Sequence, residues 1–424
     1  MKARWTKSRV RGRIALSILT AGALALGLTA CSGGGGSSTS GLSGNTLKMY
    51  TWIGGKADKQ QWTDYIAGGK HADPKMSVSF SGPPINDYYT KLPTVMKSSS
   101  APCLVTFQNG RVGQYVQGLE PLDDLAQKNK VDLKAYSSAM LEQLSVDGKL
   151  YSIPFNAGPT VILYNKKMFK DAGVADPGLN WTIDDFIAAA KATTRNGVYG
   201  FAIPQASNPI STLMAADGHP WADKNGAKLD DPNFRNALQF LVDLSNKYKV
   251  AKPLEAAAGG SFPDIDAFST GQAAMEMQGL WDLQHEQQTL GKDNVGIAVI
   301  PSQNGKSKGF IGGSGFGITK TCGDKQKAFE AIEAMTSKSG LEYVTKSQAS
   351  VPARLDALDA WSKNVGSPAF ASVIKQMTGD ATPSPVPANQ AQLDTLLTQY
   401  EVNAFSGKST VAEVLQQVKA GLGQ

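Results

Sequence analysis

The chain runs to 424 residues, with 42 basic and 36 acidic side chains and a formal charge of +6. Six of the basic residues and no acidic one fall in residues 1–30, so the remainder carries 36 of each and is formally neutral. A neutral body removes the electrostatic argument for nucleic acid, for which a basic face is the expected footprint, and a chain this long exceeds what one hydrophobic core usually organises, which implies two lobes.

Lys2, Arg4, Lys7, Arg9, Arg11 and Arg13 precede an apolar run from Ile14 to Ala30, the layout of a secretory signal. The run is short and rich in Ala and Gly for a membrane span. Leu28-Thr29-Ala30-Cys31 resembles the lipobox of bacterial lipoproteins, which implies cleavage before Cys31 and a diacylglyceryl group on its thiol; an uncleaved anchor helix is the alternative. Ser32 to Gly44 is nearly all Ser and Gly and reads as a flexible tether. Two acyl chains suffice to hold such a body at a membrane surface.

Thr46 to Thr51 reads as a strand ending at Trp52, followed by a helix around Gln60 to Ala67 and a strand from Met76 to Phe80. Asn86 to Met96 repeats apolar residues at helical spacing, with Pro93 as a kink. Cys103 to Phe107 is a buried-type strand leading to Gln108-Asn109-Gly110. Strands alternating with helices predict βαβ units and a mainly parallel sheet, with ligands beyond the carboxyl ends of the strands. Trp52, Gln108 and Asn109 occupy such ends. The neighbouring carboxylates Asp123-Asp124 and Asp184-Asp185 suit first helical turns better than acid/base catalysis.

Tyr151 to Gly173 is the stretch around which the rest is arranged. Strands at Tyr151 to Ile153 and Thr160 to Tyr164 flank Pro154-Phe155-Asn156-Ala157-Gly158-Pro159, which lacks the Asn-Gly or Asp-Gly of a tight hairpin. From these residues alone, a hinge between lobes and an ordinary surface loop stand level.

Further on, Thr182 and Asp185 form a capping-box pattern, and Asp231 to Lys249 is an amphipathic helix. Phe201 to Pro204 and Ala273 to Gln278 read as short strands; Gly218-His219-Pro220-Trp221 and Gly279-Leu280-Trp281-Asp282 each offer an indole. Asn294 to Ile300 closes this lobe, and Gly312 to Thr319 returns to strand character. Helices follow at Asp324 to Met335, Pro368 to Met377, Ala391 to Phe405 and Thr410 to Leu422, the last opened by a Thr410/Glu413 capping box. Thr382 to Pro387 reads as an extended Pro-rich connection. Pro-marked or Gly-containing passages near 155, 309 and 352 are candidate crossings between lobes.

Taken together, several segments resemble the extracellular solute-binding proteins of ABC importers, in the carbohydrate-binding cluster that includes maltose-binding protein. They are Trp52 after the first strand, Ala101-Pro102-Cys103-Leu104-Val105, Gly148 to Pro154 and Leu163-Tyr164-Asn165-Lys166-Lys167 with Phe169 and Gly173. Gly271 to Met275, Gly279-Leu280-Trp281, Gly312-Gly313-Ser314 and Val351-Pro352-Ala353-Arg354 follow in order. The resemblance implies a two-lobed α/β fold, each lobe a mainly parallel sheet flanked by helices, joined by crossing hinge segments. It places lobe I at residues 45–155 and 310–351, and lobe II at 156–309 and 352–424. It implies a lipid-anchored, monomeric, extracytoplasmic protein that captures a sugar between closing lobes, delivers it to a membrane permease and uses no cofactor. Where the family has Asp after Ala-Pro, this chain has Cys103; the family's strand order would bring Cys322 near it, leaving a disulfide or two buried thiols.

The same resemblance assigns the cleft. Trp52, Phe155, Trp221, Trp281 and also Phe316 are candidate platforms for the C–H face of a sugar, and Gln108, Asn109, Asn156, Ser314 and Arg354 candidate partners for its hydroxyls, with Gly313 admitting close backbone approach. A secreted carbohydrate-active enzyme and a glycan-binding adhesin are the competing classes. Against an enzyme, Gly312-Gly313-Ser314-Gly315-Phe316 breaks the nucleophile-elbow pattern at Phe316, and Gly407-Lys408-Ser409 has Val402 where a phosphate loop needs Gly. His71, His219 and His285 match no metal-ligand spacing.

Overall fold

A computed structural model of the chain describes residues 40–424 except 109, 224–225, 255–262, 348–349, 366, 380, 383–386 and 388. The signal segment, Cys31, the tether as far as residue 39, Asn109 and most of the Pro-rich connection therefore lie outside the described residues.

The strands are β1 (Leu42–Ser43), β2 (Thr46–Tyr50), β3 (Val78–Ser81), β4 (Leu104–Gln108), β5 (Ile153–Asn165), β6 (Met275–Gly279), β7 (Val295–Ala298) and β8 (Ile311–Ile318), beside two short hairpins. They form one sheet in the order β1-β2-β4-β8-β5-β6, with β3 also on β2 and β7 also on β5. The α/β class is as expected, but the sheet is mixed. Pairs of β2 with β3 and β4 are parallel, joined by the helices Lys56–Ala72 and Ile85–Lys97 as crossovers. Every pair made by β5 and β8 is antiparallel.

The strand β5 corrects the reading of Tyr151 to Tyr164 as two strands and a linking passage. It is a single strand of 13 residues. Its first half pairs with β8 and its second with β6 and β7. Pro154 survives inside it because the ladder is irregular there: the register against β8 shifts between Ser314 and Gly315 and skips Phe155, whose carbonyl accepts from the Ala353 N–H at 3.2 Å instead.

Two hydrophobic cores lie along this strand. Residues of β5 up to Ala157 belong to a core shared with Leu47, Trp62, Phe107 and Ile332, and residues from Val161 belong to one shared with Phe186, Phe201, Leu238 and Ile374. The cores change over again between Phe310 and Ile311, and again between Ala357 in the first core and Leu358 in the second, with Val351 in the second core and Ala353 in the first.

Local chemistry explains most helix boundaries. Both predicted capping boxes form, with Thr182 and Asp185 opening Ile183–Thr193, and Thr410 and Glu413 opening Val411–Leu422. Pro93 sits within a helix running Ile85–Lys97. The helix Ser207–Ala216 escapes a sequence reading because Ser, Asn and Pro crowd its first turn and nearly every side chain is buried, which erases the polar face. Phe201 to Pro204 makes isolated bridges rather than a strand.

The tether expected through Gly44 ends earlier. Ser40 accepts from the Gly323 N–H, and β1 pairs with Thr46 and Leu47. This docked segment covers a disulfide between Cys103 and Cys322, the alternative that the resemblance left open. The bond is reachable because the Thr319 N–H donates to the Cys103 carbonyl and a turn returns Cys322 to it. Gly41, at φ +85, presses so close that a Cβ there would stand 2.6 Å from Cys103 Sγ.

Candidate functional site

Between the two cores, β5 and β8 run side by side. Asn156 lies opposite Ser314, which lies opposite Gln108 on β4, so three polar residues form one row across the sheet. Two positions along, Gly158 lies opposite Gly312. With a side-chain period of two, Asn156 and Gly158 share a face, roughly 7 Å apart.

Over this second row lies Trp281. Its ring is 58% exposed, the larger of two exposed bulky apolar side chains among the described residues. Glycines seat it: a Cβ on Gly279 would come 2.0 Å from the ring, and one on Gly158 3.3 Å from it. One indole face is therefore held against backbone and the other is left to solvent, beside a row of amide and hydroxyl groups. The Asn156 Nδ2 donates to Ser350 Oγ at 3.2 Å, while its Oδ1 is buried without a hydrogen-bond partner. Ser314 is buried, and a side chain at Gly313 would meet the Asn156 carbonyl at 2.4 Å and Met140 at 2.6 Å, so the backbone there stays bare.

Other expected site residues are not brought to this face. Phe155 and Phe316 are fully buried, with ring centroids 4.4 Å apart and edges against Trp62 and Tyr65. They are core residues, not platforms. Trp52 is 8% exposed, held edge-on to Trp62 and Tyr88, and its carbonyl takes the Trp62 Nε1–H at 2.7 Å. Trp221, 2% exposed, belongs to the second core. A position in or beside a strand does not say whether an aromatic ring turns inward, and in these four it does. The Arg354 guanidinium grips Asp356 with two bonds, at 2.9 and 2.7 Å, and lies over Tyr136 at 5.4 Å, so its fork is already occupied.

Gln143 went unread in the sequence. It ends the helix Ser138–Gln143; its carbonyl accepts from Gly110, its Nε2 donates to the Ile311 carbonyl at 3.2 Å, and its Oε1 is buried and unpartnered. No local pattern marks it, because its partners, the turn at Gly110 and the start of β8 at Ile311, are distant in the chain. Among the described residues no His, Cys, Asp and Glu cluster could hold a metal ion, and no helix is long and apolar enough to cross a membrane.

Carboxyl groups gather around β6 and the helix Leu283–Leu290. Burial, and then the charges of Glu286, Asp264 and Asp282, push Glu276 up to about 10. Burial raises Asp264 to about 6 and also raises Asp282 and Glu286. A carboxyl whose folded pKa lies above its unfolded value stabilises the fold fully below the unfolded pKa, and that contribution is lost as pH rises towards the folded one. The unfolding free energy should therefore fall from pH 5 to pH 8, by roughly 1 kcal/mol per pH unit. Glu276→Gln should flatten the slope in denaturant titrations; an unaltered slope would mean that Glu276 is ionised in the folded protein.

Comparison with known proteins adds to this geometry. A family model described as bacterial extracellular solute-binding protein matches residues 68–371. An uncharacterized ABC transporter extracellular-binding protein of Pyrococcus horikoshii is 26% identical over 312 residues, 68% of each chain. The maltodextrin-binding protein MdxE of Bacillus subtilis is 24% identical over 401 residues, 93% of each. Among solved structures, the sugar-binding protein MalE of Xanthomonas citri shares the fold at a TM-score of 0.75 and 18% identity, covering 88% of this chain and 95% of that one.

Proposed function

The chain belongs to the bacterial extracellular solute-binding proteins, and from that premise we propose that it is the lipid-anchored sugar-capturing component of an ABC importer. The observation that carries this reading is the exposed face of Trp281 beside Asn156 and Ser314, on strands that pass from one core to the other. A pyranose has one apolar C–H face and a rim of hydroxyls; an indole suits the first, and amide and hydroxyl groups suit the second. Relatives that bind maltodextrin and other sugars support the same class of ligand.

The two cores act as lobes, and β5, Phe310–Ile311 and Val351–Leu358 as the passages about which they bend. A ligand touching both lobes only when they are closed shifts the population towards that form by its difference in affinity. The closed body, held at the membrane as a monomer through Cys31, is what a permease recognises. No bond in the sugar is made or broken.

Small-angle scattering with and without sugars tests this, after a thermal-shift screen has found the ligand; at 100 times its Kd, binding adds about 2.7 kcal/mol. Compaction on binding without turnover is the expected result. Binding with no change in radius would favour a rigid adhesin, and turnover an enzyme.

A further inference from the structure

Beyond the row of Asn156, Ser314 and Gln108, β4 leads to hydrogen-bond donors that the protein leaves unspent. Tyr89, on the helix Ile85–Lys97, accepts the Gln108 backbone N–H on its hydroxyl oxygen at 2.8 Å, which fixes its ring at the carboxyl end of β4. The Tyr115 hydroxyl anchors the same residue, donating to the Tyr89 carbonyl at 3.1 Å. Over this ring lies the Arg111 guanidinium, 4.6 Å from the centroid. Its backbone N–H donates to the Gln108 carbonyl at 3.3 Å, so Arg111 is bound to the end of β4 through main chain and side chain alike. Arg111 and Tyr89 are both partly buried, yet among the described residues no oxygen accepts from the guanidinium, and none accepts the Tyr89 O–H proton. Arg354 and Arg195, by contrast, spend theirs on the Asp356 carboxylate and the Asp171 carbonyl.

These donors lie close to Trp281. β4 runs antiparallel to β8, so the chain leaving Gln108 travels towards Gly312, which belongs to the row that Trp281 covers. Gln143 ties the two places together: its carbonyl accepts from Gly110 at 3.4 Å, and its Nε2 donates to the Ile311 carbonyl at 3.2 Å. Two strand spacings separate β4 from β5, roughly 10 Å.

A guanidinium stacked on a ring is a planar fork of N–H donors already oriented, and it matches the paired oxygens of a carboxylate or phosphate. A sugar hydroxyl fits less well, because it brings a proton of its own to a place that offers only donors.

We infer that the captured sugar carries an acidic group, a carboxylate or a phosphate, gripped by the Arg111 fork and the Tyr89 hydroxyl while Trp281 takes the face of a ring. This rests on the carbohydrate reading above and narrows it to acidic sugars.

Calorimetry at pH 7 with matched pairs tests it: galactose against galacturonic acid, galactobiose against digalacturonic acid, and glucose against glucose 1-phosphate, with citrate as an anion that is no sugar. The acidic member of at least one pair should bind about tenfold or more tighter than its neutral partner, and the pair that responds tells carboxylate from phosphate. That preference should shrink in 0.5 M salt and vanish in Arg111→Gln. Arg111→Lys keeps the charge and loses the fork, so it should retain only part of it. Because the salt arm uses unaltered protein and a second variant stands beside the first, the matter is decided even if Arg111→Gln misfolds. Neutral sugars bound as tightly as their acidic partners would overturn the inference and leave the carbohydrate reading standing, and so would a preference undiminished in both variants. Citrate bound with no sugar of either kind would overturn the carbohydrate reading and the acidic-sugar inference with it, as would no binding at all.

Discussion

Trp281→Ala is expected to weaken sugar binding about 30-fold, on the order of 2 kcal/mol, while the thermal midpoint stays near that of the unaltered protein. The ring is more than half exposed and rests on glycine backbone, so its removal opens no cavity in either core. Trp281→Phe should retain much of the affinity, since a smaller ring still offers a face. Trp52→Ala provides the contrast: that indole is enclosed by Trp62 and Tyr88, and its loss should cost about 3–5 kcal/mol of stability. Calorimetry paired with thermal unfolding separates the two roles. Unchanged affinity in Trp281→Ala would remove it from the site.

The double substitution Cys103→Ser with Cys322→Ser should lower stability by roughly 2–4 kcal/mol. The bond closes a loop spanning 219 residues of sequence, so much of its effect lies in restricting the unfolded chain. Cys103 is fully buried and Cys322 nearly so, beneath Ser40 and Gly41, which gives reductant little access while the body is folded. Reductant alone should therefore act only once denaturant opens the lobe. Sugar affinity should survive the substitution, because Cys103 precedes β4 while Gln108 ends it, roughly 16 Å away. Equal unfolding midpoints for the oxidised protein and the double variant would show that the bond contributes nothing to the fold.

Both expectations depend on facts of unequal visibility. The capping boxes at Thr182 and Thr410 were legible because they join residues three apart, within one turn. Pro154 and Pro159 argued for an interruption, yet they lie in an unbroken strand. The irregularity beside Pro154 leaves Phe155 without a partner between Ser314 and Gly315, and it shows only against a strand more than 150 residues away. The same distance hides Gln143, whose partners are Gly110 and Ile311.

The sequence by itself determined the neutral charge of the body, the alternation of helices and strands, the two helix starts capped by Thr182 and Thr410, and the ordered segments that resemble solute-binding proteins. Each is a property of composition or of residues close together in the chain. Which aromatic ring faces out was decided only by tertiary structure. Trp52, Trp221 and Trp281 stand beside the ends of strands and Phe155 within one, and all but Trp281 turn into cores that bury them. Trp281 stays out because Gly279 and Gly158, remote from each other in the chain, leave a flat seat that holds its ring against backbone and in solvent at once. Burial is settled by what packs from elsewhere, and no run of neighbouring residues encodes that.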